Sequence, residues 1–435
     1  MKRYLLLAVV AVCACWPLAG IAQDAPAPSP AGGLFDSIHV VVGPSGSELQ
    51  AIAVQSVACP QSGDGCARVV STVSRDLELS GFFKVLDPDS FIADMSRETL
   101  TATQWPDWMN VGASWLVKFA VTGSGASAGV EFRLYDVNGK AQRTVKAQSF
   151  PGVGVNGLRA AAHKFVNAVI LEITGQPGIF GSRIVVSLKK DKDTRDIITM
   201  EMDGSGRDTV VSNGSANMFP KWTRGGKLIY TSFESGLPQI YLGGKKLTDD
   251  GWEYRSAEMS PDGSRIVASV DMGEQSDLVL IDPRTGKIVQ NLTETEWDEV
   301  SPTWSNGGNM IAFVSSKNGN PQIFIMNSDG SGVRRLTMAG NYNTQPRFGP
   351  GNKVVFSGMD GFRSDLFFVD MEGNISRLTQ NQGNNKDGAW SPDGRYLVFL
   401  SDRTGDWKVW IMTADGRWQF PITGDSGRFG TPDWR

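Results

Sequence analysis

Two rhythms divide the chain. Up to residue 176, apolar positions recur at every second residue in some stretches and at every third or fourth in others; beyond residue 178 only the two-residue rhythm persists, broken by Gly and Asp turns. In the first region Ile38 to Val42, Ile52 to Val57, Phe82 to Leu86, Trp115 to Val121, Val130 to Val137 and Gln142 to Phe150 read as strands, because side chains along a strand alternate between faces. Asn138-Gly139 is a hairpin signal between the last two. Cys66 to Ser80 reads as a helix with Val69, Val70, Val73 and Leu77 on one face. Asn156 to Ile173 reads as another, with Leu158, Ala162, Phe165, Val169 and Ile173 at three- or four-residue steps, stopped by Gly175 and Pro177. Residues 35–176 are therefore expected to form an α/β domain.

The second region repeats itself. Trp222, Met259, Trp304, Phe348, Trp390 and Trp434 each stand as the aromatic or apolar residue before a unit's first turn and recur every 37 to 45 residues. Leu247-Thr248, Leu292-Thr293, Leu336-Thr337, Leu378-Thr379 and Ile422-Thr423 recur every 42 to 45. Two marks with one period identify a repeat architecture. The turn after the first mark is intact in Ser260-Pro261-Asp262-Gly263 and Ser391-Pro392-Asp393-Gly394. Pro presets φ there, Asp accepts turn amides and Gly takes the positive-φ position. A second turn uses Asp203-Gly204, Asp329-Gly330, Glu372-Gly373 and Asp415-Gly416. Four alternating strands per unit define a propeller blade, and such units must stack in a ring to bury both faces. Six anchors predict six blades over residues 178–435. The strand Gly430 to Trp434 has no hairpin behind it, and the hairpins Arg183 to Leu188 and Ile197 to Val211 have no anchor strand before them. The C-terminal strand is thus expected to close the ring, with the anchor tryptophans packing blade on blade.

Residues 1–22 carry the marks of a secretory signal peptide: Lys2-Arg3, an apolar core from Leu5 to Val12, and Gly20-Ile21-Ala22 before Gln23. A lipoprotein signal with Cys15 lipidated is the alternative, although Cys13 sits poorly at its −2 position. Residues 23–34 are a Pro/Ala-rich tether. Cys59 and Cys66 then remain, bracketing a polar loop. In an oxidising compartment they are expected to pair, two free thiols being the alternative. Zinc would need ligands that are not nearby. The chain has 2 His, and neither His39 nor His163 has a Cys or carboxylate cluster beside it in sequence, so no catalytic role is assigned to them. A net charge of −4 with intermixed signs gives no basic stripe for nucleic acid. A mean hydropathy of −0.19 and one apolar run exclude a multi-span membrane protein.

The α/β region, the helix Leu158 to Ile173 followed by Gly178-Ile179-Phe180-Gly181-Ser182-Arg183-Ile184, the SPDG turns and the ending ADGRWQFPITGDSGRFGTPDW together resemble the TolB family, from residue 37 to 435. The resemblance implies a non-enzymatic periplasmic scaffold of the Tol–Pal cell-envelope system, serving outer-membrane integrity and constriction at division. Its partners would be the lipoprotein Pal at the propeller mouth and TolA at the N-terminal segment. The matching TolA segment is Ser37, Ile38, His39, Val40, Val41, Val42 and Gly43, here preceded by the tether. The residues that begin the anchor strands are the mouth candidates: Met218 and Phe219; Tyr254, Arg255 and Ser256; Glu299, Val300 and Ser301; Thr344 and Gln345; Lys386 and Asp387. Aromatic and Arg anchors among them suit a protein interface; the bland alternative is a solvated ring around a water-filled channel. No cofactor or metal is implied, and a monomer is expected. The competing classes are a propeller hydrolase and a carbohydrate- or peptidoglycan-binding propeller. Against the first, Gly43-Pro44-Ser45-Gly46-Ser47 breaks the nucleophile-elbow pattern.

Overall fold

The computed structural model describes residues 49–60, 64–139, 144–317, 319–424 and 427–435; the signal segment, the tether and Ser37 to Gly43 lie outside them. Strands β1 (Gln50–Ala58), β2 (Phe83–Val85), β3 (Trp115–Thr122), β4 (Gly129–Asp136) and β5 (Thr144–Phe150) form one sheet in the order β2-β1-β3-β4-β5. β1 is parallel to β2 and β3, whereas β3, β4 and β5 are an antiparallel meander. A parallel pair needs a crossover, which helix α1 (Asp64–Leu79) supplies between β1 and β2. Helix α2 (Trp105–Asn110) precedes β3, and α3 (Gly154–Thr174) follows β5.

Alternation divides the sheet residues between two faces. Ile52, Val54 and Val117 join Val69, Val73 and Leu77 of α1 and Leu158, Phe165 and Val169 of α3 in one core. Ala53 and Leu116 face the other way and pack with Trp108 of α2. α3 ends where Gly175 takes φ +73° and its amide bonds the Leu171 carbonyl, a left-handed cap that Gly adopts without steric cost. Cys59 and Cys66 are joined as a disulfide at the entry to α1, their Cα atoms 6.0 Å apart.

Beyond α3 the chain forms six four-stranded sheets. Blades one to five span residues 217–246, 253–291, 299–335, 343–377 and 385–421; blade six combines 183–211 with 429–434. The innermost strands are Asn217–Trp222, Glu253–Met259, Glu299–Trp304, Asn343–Phe348, Asn385–Trp390 and Phe429–Trp434, each ending on an anchor residue. They touch one another in sequence around the axis, the last against the first. Phe429–Trp434 pairs antiparallel with Arg183–Lys189, and Arg183 and Arg435 exchange backbone hydrogen bonds of 2.7 and 2.9 Å. The ring is closed by the C-terminal strand, as its sequence pattern requires.

Both repeated marks have a physical cause at the blade boundary. Trp304 lies among Val267, Leu278 and Leu280 of the preceding blade, and its indole donates to the Glu258 carbonyl at 3.1 Å. Trp390 stacks on Phe368 of the preceding blade at 5.0 Å. The hydroxyls of Thr248, Thr293, Thr337, Thr379 and Thr423 accept the backbone amides of Ile240, Leu278, Ile323, Leu366 and Val409 at 2.8–3.0 Å, pinning each third strand. The residue before that Thr presents its carbonyl to the next blade's second turn. A Cβ at Gly286 would lie 1.9 Å from the Leu247 carbonyl oxygen, and one at Gly204 only 1.6 Å from that of Ile422. The Leu-Thr and Asp-Gly marks keep one period because they touch.

The two domains share a core. Leu79 and Phe165 belong to one buried cluster with Phe180, Ile184, Tyr396 and Trp434. These contacts fall at the anchor end of blades five and six, where innermost strands finish and second strands begin. The opposite end of the ring, where the anchor strands begin, is the mouth.

Candidate functional site

At the mouth every innermost strand breaks register with its neighbour. In five blades two residues oppose one: Phe219-Pro220, Ser301-Pro302, Gln345-Pro346, Asp387-Gly388 and Thr431-Pro432. The extra residue of a bulge lies outside the ladder, so Pro loses no ladder bond there. The first residue of each pair is left-handed, with φ of 53° at Phe219, 55° at Ser301 and Gln345, 56° at Asp387 and 34° at Thr431. None of them is Gly, and each such residue costs about 1–3 kcal/mol. In blade two the break falls at Arg255, without a left-handed residue. A regular strand turns neighbouring side chains to opposite faces. The bulges instead leave Met218 and Phe219, Val300 and Ser301, Thr344 and Gln345, and Lys386 and Asp387 half-exposed as consecutive pairs.

The placement of the candidate residues corrects part of the sequence reading. Tyr254 is fully buried among Ile240, Val270 and Val279, and its hydroxyl donates to Asp250 at 2.7 Å. Ser256 and Glu299 are buried too. Glu299 accepts hydrogen bonds from Thr295 at 2.8 Å and Ser315 at 2.9 Å, and burial raises its carboxyl pKa. These three are wall rather than rim. Asn343 and Asn385, which begin their mouth strands, are buried and donate to Gln322 and Asp365 on the third strand of the preceding blade. Arg255 is half-exposed but tied to Asp271 through Nε at 2.9 Å and Nη2 at 2.7 Å. Lys386 lies over the Trp407 ring at 4.3 Å.

Sequence reading missed a crown of apolar side chains on the same face. Leu237 and Phe362 sit on links between second and third strands, Trp252 and Met338 on links leading into innermost strands; they are 42%, 101%, 41% and 71% exposed. Large apolar residues inside turn-rich links, such as Trp252 after Asp249-Asp250-Gly251, were the available signal. Clustered exposed apolar residues rimmed by polar ones mark interaction surfaces.

Beneath the mouth, the position before the anchor builds a charged floor in four blades, with Lys221, Glu258, Arg347 and Asp433; in the other two it is Thr303 and Ala389. Lys221 ion-pairs with Glu258 and donates to the Pro302 carbonyl at 3.3 Å. Arg347 lies 3.8 Å from Glu258, and Asp433 accepts the Trp222 amide at 2.7 Å. Burial lowers the Lys221 ammonium to about 8, helped by Arg347, and raises the Asp433 carboxyl to about 6.

The other end of the ring holds a second polar cluster, under the α/β domain. His163 of α3 contacts Asp76 of α1 through Nδ1 at 2.6 Å and Glu201 of blade six through Nε2 at 3.0 Å. Arg159, one helical turn earlier, donates to Glu201 at 2.9 Å and to both oxygens of Asp203 at 2.9 and 2.7 Å. His163 therefore does sit in a carboxylate cluster, which the tertiary fold assembles from three separate segments. Burial raises Asp76 to about 7. Burial also opposes a charged His163, yet hydrogen bonds to Asp76 and Glu201 raise it to about 9. Glu201 falls to about 2 through the His163 hydrogen bond and Arg159. Ligand atoms of Asp76, His163 and Asp203 lie within 4.8 Å of one another, a spacing a metal would accept. Arg159 already holds both Asp203 oxygens, so the cluster is an interdomain ion-pair network. Nearby, Asn167 bonds both backbone groups of Phe180 at 2.9 Å, and Tyr396 donates to the Ser80 carbonyl at 2.8 Å.

The fold and its two ends define a β-propeller protein with an α/β domain locked to one face and an open mouth on the other. The family profile of the TolB amino-terminal domain matches residues 38–143, and that of the TolB beta propeller domain residues 171–435. The chain belongs to the TolB family. It is 34% identical over 318 residues to the Tol-Pal system protein TolB of Anaeromyxobacter sp. (strain K), covering 70% of this chain and 68% of that protein. It is 33% identical over 196 residues to the protein of the same name from Roseobacter denitrificans, 44% of each chain. The crystal structure of TolB from Acinetobacter baumannii matches the fold with a TM-score of 0.74 at 22% identity, over 89% of this chain and 97% of that one. The family places the chain in the Tol–Pal system of the cell envelope. Among the described residues no helix is long and apolar enough to cross a membrane.

Proposed function

We propose that this protein is a non-catalytic periplasmic scaffold whose propeller mouth docks Pal, while the segment Ser37 to Gly43 adds as a strand to TolA, linking the two for outer-membrane integrity and constriction at division. The observation that carries the mouth assignment is the ring of strained bulges. Five non-Gly residues with positive φ at one height of one ring cost stability, and strain of this kind clusters at binding sites. The apolar crown beside it supplies contact area, and the half-exposed pairs supply side chains of several chemistries. Strand addition suits Ser37 to Gly43 because main-chain hydrogen bonds then carry affinity. The test is calorimetric titration of the full chain with the soluble domain of Pal and, separately, of TolA. Phe219→Ala is expected to weaken Pal by about 1–2 kcal/mol at unchanged melting temperature and to leave TolA binding intact. Removal of residues 23–43 is expected to do the converse. Pal affinity indifferent to substitutions at Met218, Phe219, Val300 and Gln345 together would place its site elsewhere.

A further inference from the structure

Blade six departs from the other five at the mouth. Its second mouth position is Gly430, where blades one, three, four and five carry Met218, Val300, Thr344 and Lys386. The space is not empty. A Cβ at Gly430 would lie 2.8 Å from Ser187 Oγ and 3.3 Å from Nη1 of Arg195. Arg195 starts the third strand of this blade and reaches across the sheet toward the innermost one. Its guanidinium makes no hydrogen bond or ion pair with any described residue, although its surroundings desolvate it enough to lower its pKa. An unpaired, partly desolvated cation is costly to keep.

More positive charge stands beside it. Lys189, Lys190, Asp191, Lys192 and Arg428 line a cleft of about 440 Å³ on the same rim, and the Lys189 amide donates to the Arg428 carbonyl at 3.0 Å. Lys190 has Asp196 at 3.8 Å. Asp191 is occupied by its own loop, accepting the amides of Asp193 and Thr194 at 2.9 Å and the Thr194 hydroxyl at 2.6 Å. Among the described residues Lys189, Lys192, Arg195 and Arg428 have no carboxylate within ion-pair distance. In a chain of net charge −4 this concentration of free cations is local to blade six.

We infer that the blade-six side of the mouth is an anion-reading subsite, in which Arg195, Lys189 and Arg428 receive an acidic segment of the protein partner docked there. The inference rests on the mouth being a protein-docking face and names the chemistry of what enters it. Gly430 serves the subsite by omission, since its missing side chain leaves the guanidinium open to the mouth. A carboxylate reaching Arg195 forms a paired, charge-assisted contact in a partly dehydrated site, the kind that contributes to both affinity and register.

The experiment uses the full chain, the soluble domain of Pal as the probe, and hexaglutamate as competitor. Arg195→Gln is expected to weaken Pal about tenfold, to flatten the salt dependence of binding, and to leave the melting temperature unchanged or higher, because an uncompensated cation is removed from the free protein. Lys189→Gln with Arg428→Gln is expected to lower the association rate and its salt slope. Hexaglutamate is expected to displace Pal from the native chain at low salt, with hexalysine inactive. If Arg195→Gln keeps native affinity and salt slope while Phe219→Ala weakens Pal, the mouth stands and the anion subsite falls. If neither substitution moves Pal affinity, the mouth reading falls and takes the subsite with it.

Discussion

Under the α/β domain, five charged side chains from three segments meet with nearly every hydrogen-bonding group engaged: Asp76, Arg159, His163, Glu201 and Asp203. At the mouth, on the other end of the same ring, left-handed residues hold half-exposed side chains in place and Arg195 stands without an acceptor among the described residues. The same strands build both ends. The difference is what the strand sequence does at each: regular pairing and aromatic anchors at the closed end, bulges and missing partners at the open one. Stability and recognition are thereby assigned to opposite faces, and a substitution's effect should depend on which face it touches.

The strongest way to break the comparison is to remove the closing strand. Deleting residues 430–435 takes Trp434 from the shared core and leaves Arg183–Lys189 an open edge. The melting temperature is expected to fall further than for any single substitution; an unchanged melt would overturn closure by this strand. Next is Arg159→Ala, which leaves Asp203 without its cation and Glu201 with His163. Both carboxylates are largely buried, so a loss of about 2–3 kcal/mol is expected, below the 3–5 kcal/mol of a fully buried pair. Urea unfolding measures it, and Pal affinity should not move.

The pH dependence sharpens the same contrast. His163 is raised from 6.5 to about 9, so its contribution is complete below pH 6.5 and lost as pH rises through 9. Asp76, raised from 3.8 to about 7, acts in the same sense over its own range. Glu201, lowered from 4.5 to about 2, contributes fully above pH 4.5 and fails only as pH falls through 2. The junction is thus tightest at about pH 4–4.5, and it weakens first as Asp76 ionises toward pH 7 and again as His163 deprotonates toward pH 9. The melting temperature should drop by a few degrees between pH 7 and 9.5, on the scale of about 2–4 °C per kcal/mol, and His163→Gln should flatten that slope. The smallest expected effect is at the mouth. Gln345→Gly relieves a φ of 55° but adds freedom to the unfolded chain. The result should lie between no change and about 1 kcal/mol of stabilisation, with weaker Pal binding. A clear loss of stability would show that the bulge supports the fold instead of the interface.

Much of this architecture was legible because repetition multiplies weak signals. The anchors ending at Trp222, Trp304 and Trp434, the Leu-Thr pairs and the Asp-Gly turns each recur for a local reason, so six blades and their closure followed from spacing. Tyr254 was misplaced because a triplet aligned by distance from its anchor does not reveal that blade two breaks register one residue earlier. The charges of the junction gave no comparable warning; only Arg159 and His163, four residues apart on the buried face of α3, hinted at a polar seam.

The sequence by itself determined the periodic parts of the protein: which stretches alternate, where turns demand Gly, and that the chain's last strand lacked a partner its first hairpin could supply. Those are properties of neighbouring residues and of the backbone they share. Only the tertiary structure decided which charges meet. Asp76 finds His163 across 87 positions and Trp222 finds Asp433 across 211, while Gly430 opens the rim to Arg195. Coulomb and desolvation energies depend on distance through space and on what excludes water there, and neither is written in the order of the chain.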